Sequence, residues 1–103
     1  MTRRRILRLS QSAARQVSEI AEWWQMNRAA APSLFVDELG SAYNLIRHQP
    51  SAGQLVLGAK SDRVRRVHLR RSRYHLYYQE SDNGDAIEVL AVWHTSRFGG
   101  PDL

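Results

Sequence analysis

Apolar positions recur along this chain with a helical repeat and with a period of two, and each predicts elements. Residues 4–9 read as a short strand. From Ser12 the spacing lengthens: Ala13, Val17, Ile20 and Trp24 fall four, three and four residues apart, the repeat of one helix face. Ser10 offers a hydroxyl for the N-cap, and the helix is expected to run to about Arg28. Phe35, Leu39, Ala42 and Ile46 repeat that period in a second helix, with Pro32 acceptable in its first turn and an end near Gln49, before Pro50. Ala31 precedes a proline and is steered away from helical backbone, which predicts a tight helix–helix connection at 28–31. Gly40 costs the second helix about 1 kcal/mol relative to alanine and would let the two helices approach closely.

Residues 50–62 carry Pro50, Gly53, Gly58, Ser61 and Asp62 and read as a long loop. The period then becomes two. Val67 and Leu69 alternate with Arg66, His68 and Arg70; Tyr74, Leu76 and Tyr78 alternate with Arg73, His75, Tyr77 and Gln79. Asn83-Gly84 is the pair wanted by a two-residue type I′ hairpin. Residues 87–93 are apolar on both faces for most of their length, as in a central strand. Thr95 to Leu103 reads as an irregular tail. The expected fold is α+β: a two-helix hairpin on one face of a mostly antiparallel four-stranded sheet, in the order β-α-α-β-β-β.

Composition narrows the function classes. A chain of 103 residues is one domain, residues 1–103. Cysteine is absent, which excludes disulfides, thiolate zinc sites and a cysteine nucleophile. No stretch approaches the roughly 18 apolar residues of a membrane span, and Ile6-Leu7-Arg8-Leu9 is too short and charged for a signal-peptide core. A cytoplasmic protein is expected. Fifteen basic residues oppose 10 acidic ones, and all but Lys60 are arginine. That balance points to an anionic partner, nucleic acid or an acidic protein segment.

The arginines concentrate between Arg63 and Tyr78, a stretch with six arginines, two histidines, three tyrosines and no acid. One reading is a solvated sheet face with arginine stems over apolar surface. Another is an anion-binding groove, in which arginine forks meet phosphates or carboxylates and rings stack on bases. The helix-free face would carry His68, Arg70, His75 and Tyr77, with Arg66 and Arg73. Metal-free RNA cleavage would need an acid, a base and cations; His68, His75 and His94 can titrate near neutrality, and Arg70, Arg73 and Arg97 can stabilise charge. His48 lies far from the other histidines, so no metal site is expected. Phosphate-loop and nucleophile-elbow motifs are missing as well, and no cofactor is expected. Trp23 and Trp24 diverge by about 100° on their helix: one faces the sheet, and the other packs on the second helix or serves an interface.

The element order, the stretch Arg73-Tyr74-His75-Leu76-Tyr77-Tyr78 and the run Ile87 to Arg97 resemble the ParE/RelE toxin superfamily. So does the opening Leu9-Ser10-x-Ser-Ala-Ala-Arg followed by Ile20-Ala21-Glu22-Trp23-Trp24. The resemblance covers essentially the whole chain. It implies the toxin of a type II toxin–antitoxin module. ParE-type members poison DNA gyrase, and RelE-type members are ribosome-dependent endoribonucleases. RelE-type toxins carry an arginine where this chain has His75, and a tyrosine in the C-terminal segment, where this chain has none after Tyr78. The ending His94-Thr95-Ser96-Arg97 and the short Pro-containing tail are closer to ParE. The resemblance thus implies a gyrase inhibitor without catalytic residues, bound in a hetero-oligomer by a ParD-like antitoxin with a flexible acidic segment. The expected antitoxin- or target-binding residues are Arg66, Arg70, Arg73, His75, Tyr77, His94, Arg97 and Phe98. The alternative is an RNA-cleaving toxin using His75, His94 and Arg97.

Overall fold

In the computed structural model, which describes residues 5–97 and 99–103, both helical periods form helices close to where the pattern puts them. β1 (Ile6–Leu9) leads into α1 (Gln11–Asn27), and α2 (Leu34–His48) follows. The Ser10 hydroxyl accepts from the Ala13 N–H at 3.0 Å and caps α1. Of the α1 stripe, Ala13 and Trp24 are buried and Val17 and Ile20 are partly so. The α2 stripe, Phe35, Leu39, Ala42 and Ile46, is buried throughout. α2 starts two residues after Pro32, with Ser33 at its N-cap, so the proline belongs to the turn. Gly40 is exposed and a Cβ there would meet nothing within 4 Å. It does not sit at a close helix–helix approach.

After α2 come a 3₁₀ turn (Pro50–Ala52), β2 (Gln54–Leu55), β3 (Arg65–Leu69), β4 (Tyr74–Glu80) and β5 (Ala86–His94). The sheet has five strands, not four, in the order β1-β5-β4-β3-β2. β2 is the additional strand, pairing Gln54 with Arg66 and Leu55 with Arg65. Two residues are too few to show a period of two. β1 runs parallel to β5, and the other pairs are antiparallel. β5 therefore lies between two neighbours, the central position expected of it. The β4–β5 loop is longer than the expected two-residue turn. A type I′ turn needs positive φ at both central residues, and only Gly84 has it (φ 74°). Asn83 instead accepts the Asp85 N–H and the Ser81 hydroxyl through Oδ1, and Ser81 closes on Ala86.

Both helices cover one face of the sheet, burying Leu69, Tyr74, Leu76, Tyr78, Ile87, Val89 and Val92. Between the pairs Tyr77–Ala91 and Tyr78–Val89 the register slips, leaving Leu90 unpaired as a bulge. The Gln16 side chain takes up the Val92 N–H there. A second, smaller cluster forms on the helix-free face, where Val64, Tyr77 and Ala91 are buried with Val56, Ala59, Trp93 and Leu103 against them. The tail is irregular but not loose: the Leu103 carbonyl accepts the Lys60 N–H at 2.7 Å.

Candidate functional site

The β3–β4 connection is a four-residue turn, residues 70–73, that begins where Leu69 pairs with Tyr74. Arg70 and Arg73 sit in this turn and not on the strands as their alternation suggested. Arg73 is the one described non-glycine residue with positive φ (70°), an uncommon conformation for a long side chain. It is pinned on both sides, donating from its N–H to the Leu69 carbonyl (2.8 Å) and accepting from the Thr95 N–H (2.9 Å). Glu38 of α2 braces the same turn. Its carboxylate accepts from the Arg71 N–H, the Ser72 N–H (both 2.9 Å) and the Ser72 hydroxyl (2.6 Å). Burial alone would raise this carboxyl. The bond from the Ser72 hydroxyl, the two N–H bonds and the Arg71 charge outweigh it and hold the group below 4.5.

A folded value below the unfolded one stabilises the fold above the unfolded pKa, and that contribution is lost as pH falls through the folded value. Glu38→Gln is therefore expected to cost about 1–2 kcal/mol at neutral pH and to flatten the loss of stability on acidification below 4.5. Urea unfolding across that range measures both. An acid limb identical to that of the parent protein would show that Glu38 does not brace the turn.

On the helix-free face, cross-strand pairing aligns Arg66 with Tyr77 and Ala91, and His68 with His75 and Trp93. The His68 and His75 rings lie 5.1 Å apart, and the Arg97 guanidinium covers the Trp93 ring at 3.7 Å. Burial first, and then the charges of Arg66 and His68, push the His75 imidazole below its usual range. His75 is thus a neutral ring at physiological pH, beside an arginine. Tyr77 does not join an open surface. It is 4% exposed, and a Cβ on Gly100 would come within 3.7 Å of its hydroxyl.

His94 lies on the other face. It pairs with Tyr74, whose ring it meets edge-on at 5.0 Å, and so it borders a cleft of about 650 Å³ between α1 and the 70–73 turn. The expected trio His75, His94 and Arg97 is therefore divided: neighbours along a strand point to opposite faces, and His75 pairs with Trp93, not His94. The basic stretch also divides. Arg63 forms an ion pair with Asp82 at 2.8 Å, and Arg65 donates to the Gly53 carbonyl at 2.8 Å. Both tie the chain to itself, so the expected single basic surface splits into Arg66 and Arg97 on one face and the turn arginines beside the helices. Phe98 lies outside the described residues. Two further residues border the cleft: Trp23, the member of the tryptophan pair that faces outward, and Arg28, to which the pattern gave no role. Trp23 remains 43% exposed, and Arg28 lies 4.7 Å above its ring. Among the described residues no group of three or more His, Asp or Glu side chains is placed to hold a metal ion. Nor is any described helix long and apolar enough to cross a membrane.

Comparison with protein-family models matches residues 7–98 to the ParE toxin of the type II toxin–antitoxin system parDE. The chain belongs to the ParE toxin family. A comparison with curated proteins found no matching relative. Among solved structures, the fold is similar to that of a chromosomal ParDE toxin–antitoxin system from P. aeruginosa. The TM-score is 0.69 at 15% identity, over 89% of this chain and 97% of that one. It is also similar to the toxin–antitoxin complex RelBE2 from Mycobacterium tuberculosis, with a TM-score of 0.64 at 16% identity over 94% and 98% of the two chains. A mutant RelE toxin from E. coli in the free state gives 0.58 at 19% identity, over 90% and 85%. At these identities the likeness is one of fold. Two helices packed on a mixed five-stranded sheet are thus the ParE-family architecture in this chain.

Proposed function

We propose that this ParE-family toxin acts on DNA gyrase in the cytoplasm and is neutralised by a cognate antitoxin with an acidic, flexible segment. The observation that carries the gyrase reading is the division of His75 from His94 across the sheet. A metal-free nuclease needs its acid, base and cations around one phosphate, and two histidines on opposite faces do not meet that need. The exposed basic groups of the turn and of the segment after β5, Arg70, Arg71, Arg73 and Arg97, suit an acidic partner, whose approach their charge would speed. The toxin and antitoxin would form a hetero-oligomer.

In a supercoiling assay, the purified toxin is expected to block gyrase, and added antitoxin to restore it. Full supercoiling with toxin in excess overturns the reading. A second reading has one observation in its favour: the His68–His75 pair beside Arg66 places two imidazoles and a cation on one face. It predicts messenger cleavage on translating ribosomes that His75→Ala abolishes.

A further inference from the structure

We propose that the cleft between the C-terminal half of α1 and the 70–73 turn is a binding site for a nucleoside triphosphate or diphosphate. The inference does not depend on gyrase as the target, but it uses Arg71 and Arg73, which the proposed acidic partner would also meet. The cleft holds about 650 Å³, within the range of small-molecule sites. Its apolar part is made by Ile20, Trp24 and Tyr74, and the indole N–H of Trp24 is engaged by the Tyr74 hydroxyl at 3.4 Å. Trp23 stands at the side, 43% exposed, edge-on to Trp24 at 5.9 Å. The Arg28 guanidinium lies over it. An exposed indole with a planar cation above it attracts the face of a nucleobase, whichever base it is.

The cations are the second half of the match. Arg28, Arg71 and Arg73 all border the cleft, and among the described residues no carboxylate lies within ion-pair distance of their guanidinium groups, although the Arg71 charge also acts on Glu38. Glu19 is the one acid in the lining. His94 adds a donor. Its Nδ1 accepts from the Ser96 backbone N–H at 3.1 Å, which leaves Nε2 as the ring's donor. Arginine forks match phosphate oxygens in geometry and charge.

The backbone adds an independent sign. Arg73 is kept at a φ of 70° by two backbone bonds, in a turn that Glu38 braces at Arg71 and Ser72, and such over-determined strain gathers at ligand clamps. A helical peptide would need an apolar stripe running along several turns. Here three apolar side chains are ringed by arginines, which suits a flat base with a short polyanion.

Calorimetric titration of the full-length protein with ATP, ADP, adenosine and inorganic tripolyphosphate tests this. ATP should bind tightest, with adenosine and tripolyphosphate each at least tenfold weaker. Trp23→Ala removes an exposed ring. Arg73→Gly suits a positive φ and so keeps the turn. Each should weaken ATP at least tenfold while the circular dichroism stays unchanged, and Arg28→Ala is the reserve variant if either fails to fold. No saturation by millimolar ATP overturns the proposal. So does tripolyphosphate binding as tightly as ATP, which marks a basic patch only, or ATP binding that survives both substitutions. An acidic peptide that binds the cleft with the same loss in both variants, while ATP does not bind, overturns it in favour of a peptide groove.

Discussion

Replacing Gly53 by alanine is expected to destabilise the protein by about 3 kcal/mol, from overpacking and a distorted buried hydrogen bond. An added Cβ would lie 2.6 Å from the Tyr78 hydroxyl oxygen, 2.8 Å from its ring and 2.9 Å from the Arg66 carbonyl oxygen. None of these can retreat easily. Tyr78 is fully buried, and its hydroxyl accepts from the Gly53 N–H at 2.8 Å while donating to the Pro50 carbonyl at 2.7 Å. Burial pushes that hydroxyl above its usual range, although the Gly53 bond and the Arg65 charge oppose the shift, so it stays protonated and able to donate. The Arg66 carbonyl belongs to a strand paired on both sides. The damage should reach the helix-free face, because Gln54 pairs with Arg66. A urea midpoint equal to that of the parent protein would show that the 50–55 segment yields freely.

Phe35→Ala is expected to cost about 3–5 kcal/mol, the loss of a buried aromatic plus the cavity it leaves. Phe35 is fully buried and meets Tyr74 edge-on with centroids 5.0 Å apart, a geometry that adds to burial. Tyr74 in turn touches His94 and the Trp24 indole N–H. The cavity would therefore loosen the floor of the cleft as well as the core. Against a total stability of about 5–15 kcal/mol, this loss leaves a substantial unfolded fraction. Growth inhibition would fall with it, although Phe35 touches no partner in either functional reading. Arg70→Ala, at an exposed position, serves as the contrast: its unfolding midpoint should not move. A Phe35→Ala variant as stable as Arg70→Ala would contradict the packing described.

The helices and three long strands were legible because each repeats a burial pattern often enough to show its period. Ala13, Val17, Ile20 and Trp24 settle the face of α1 without help from the rest of the chain. β2 was not legible, since its two residues are held by pairing with β3 and by Tyr78, a partner 25 positions from Gly53. Arg70 and Arg73 continued an alternating pattern, yet the turn takes them because Leu69 and Tyr74 close the ladder and Glu38 captures the turn N–H groups. That capture comes from another element, so local spacing carries no trace of it. At the candidate sites, residue types were legible but their grouping was not. His94 looked like a companion of His75 until the register put it beside Tyr74. Trp23 was legible only as a helix contact or an interface residue, and Arg28 not at all, because their shared cleft forms only when α1 meets the turn.

The parallel pairing of β1 with β5 has a consequence for how this toxin is made. Arg8 and Glu88 bridge across a separation of 80 positions, and β5 occupies the middle of the sheet. Until β5 has been synthesised, β1 has no strand to pair with, and the helices lack the residues Ile87, Val89 and Val92 that they are to cover. A nascent chain can form α1 and α2 early, but it cannot complete its core, and such long-range pairing is intrinsically slow. A ribosome that stalls before β5 therefore releases a fragment without the toxin's fold. The cell meets the folded poison only after β5 has been made, which leaves time for an antitoxin already present to be waiting.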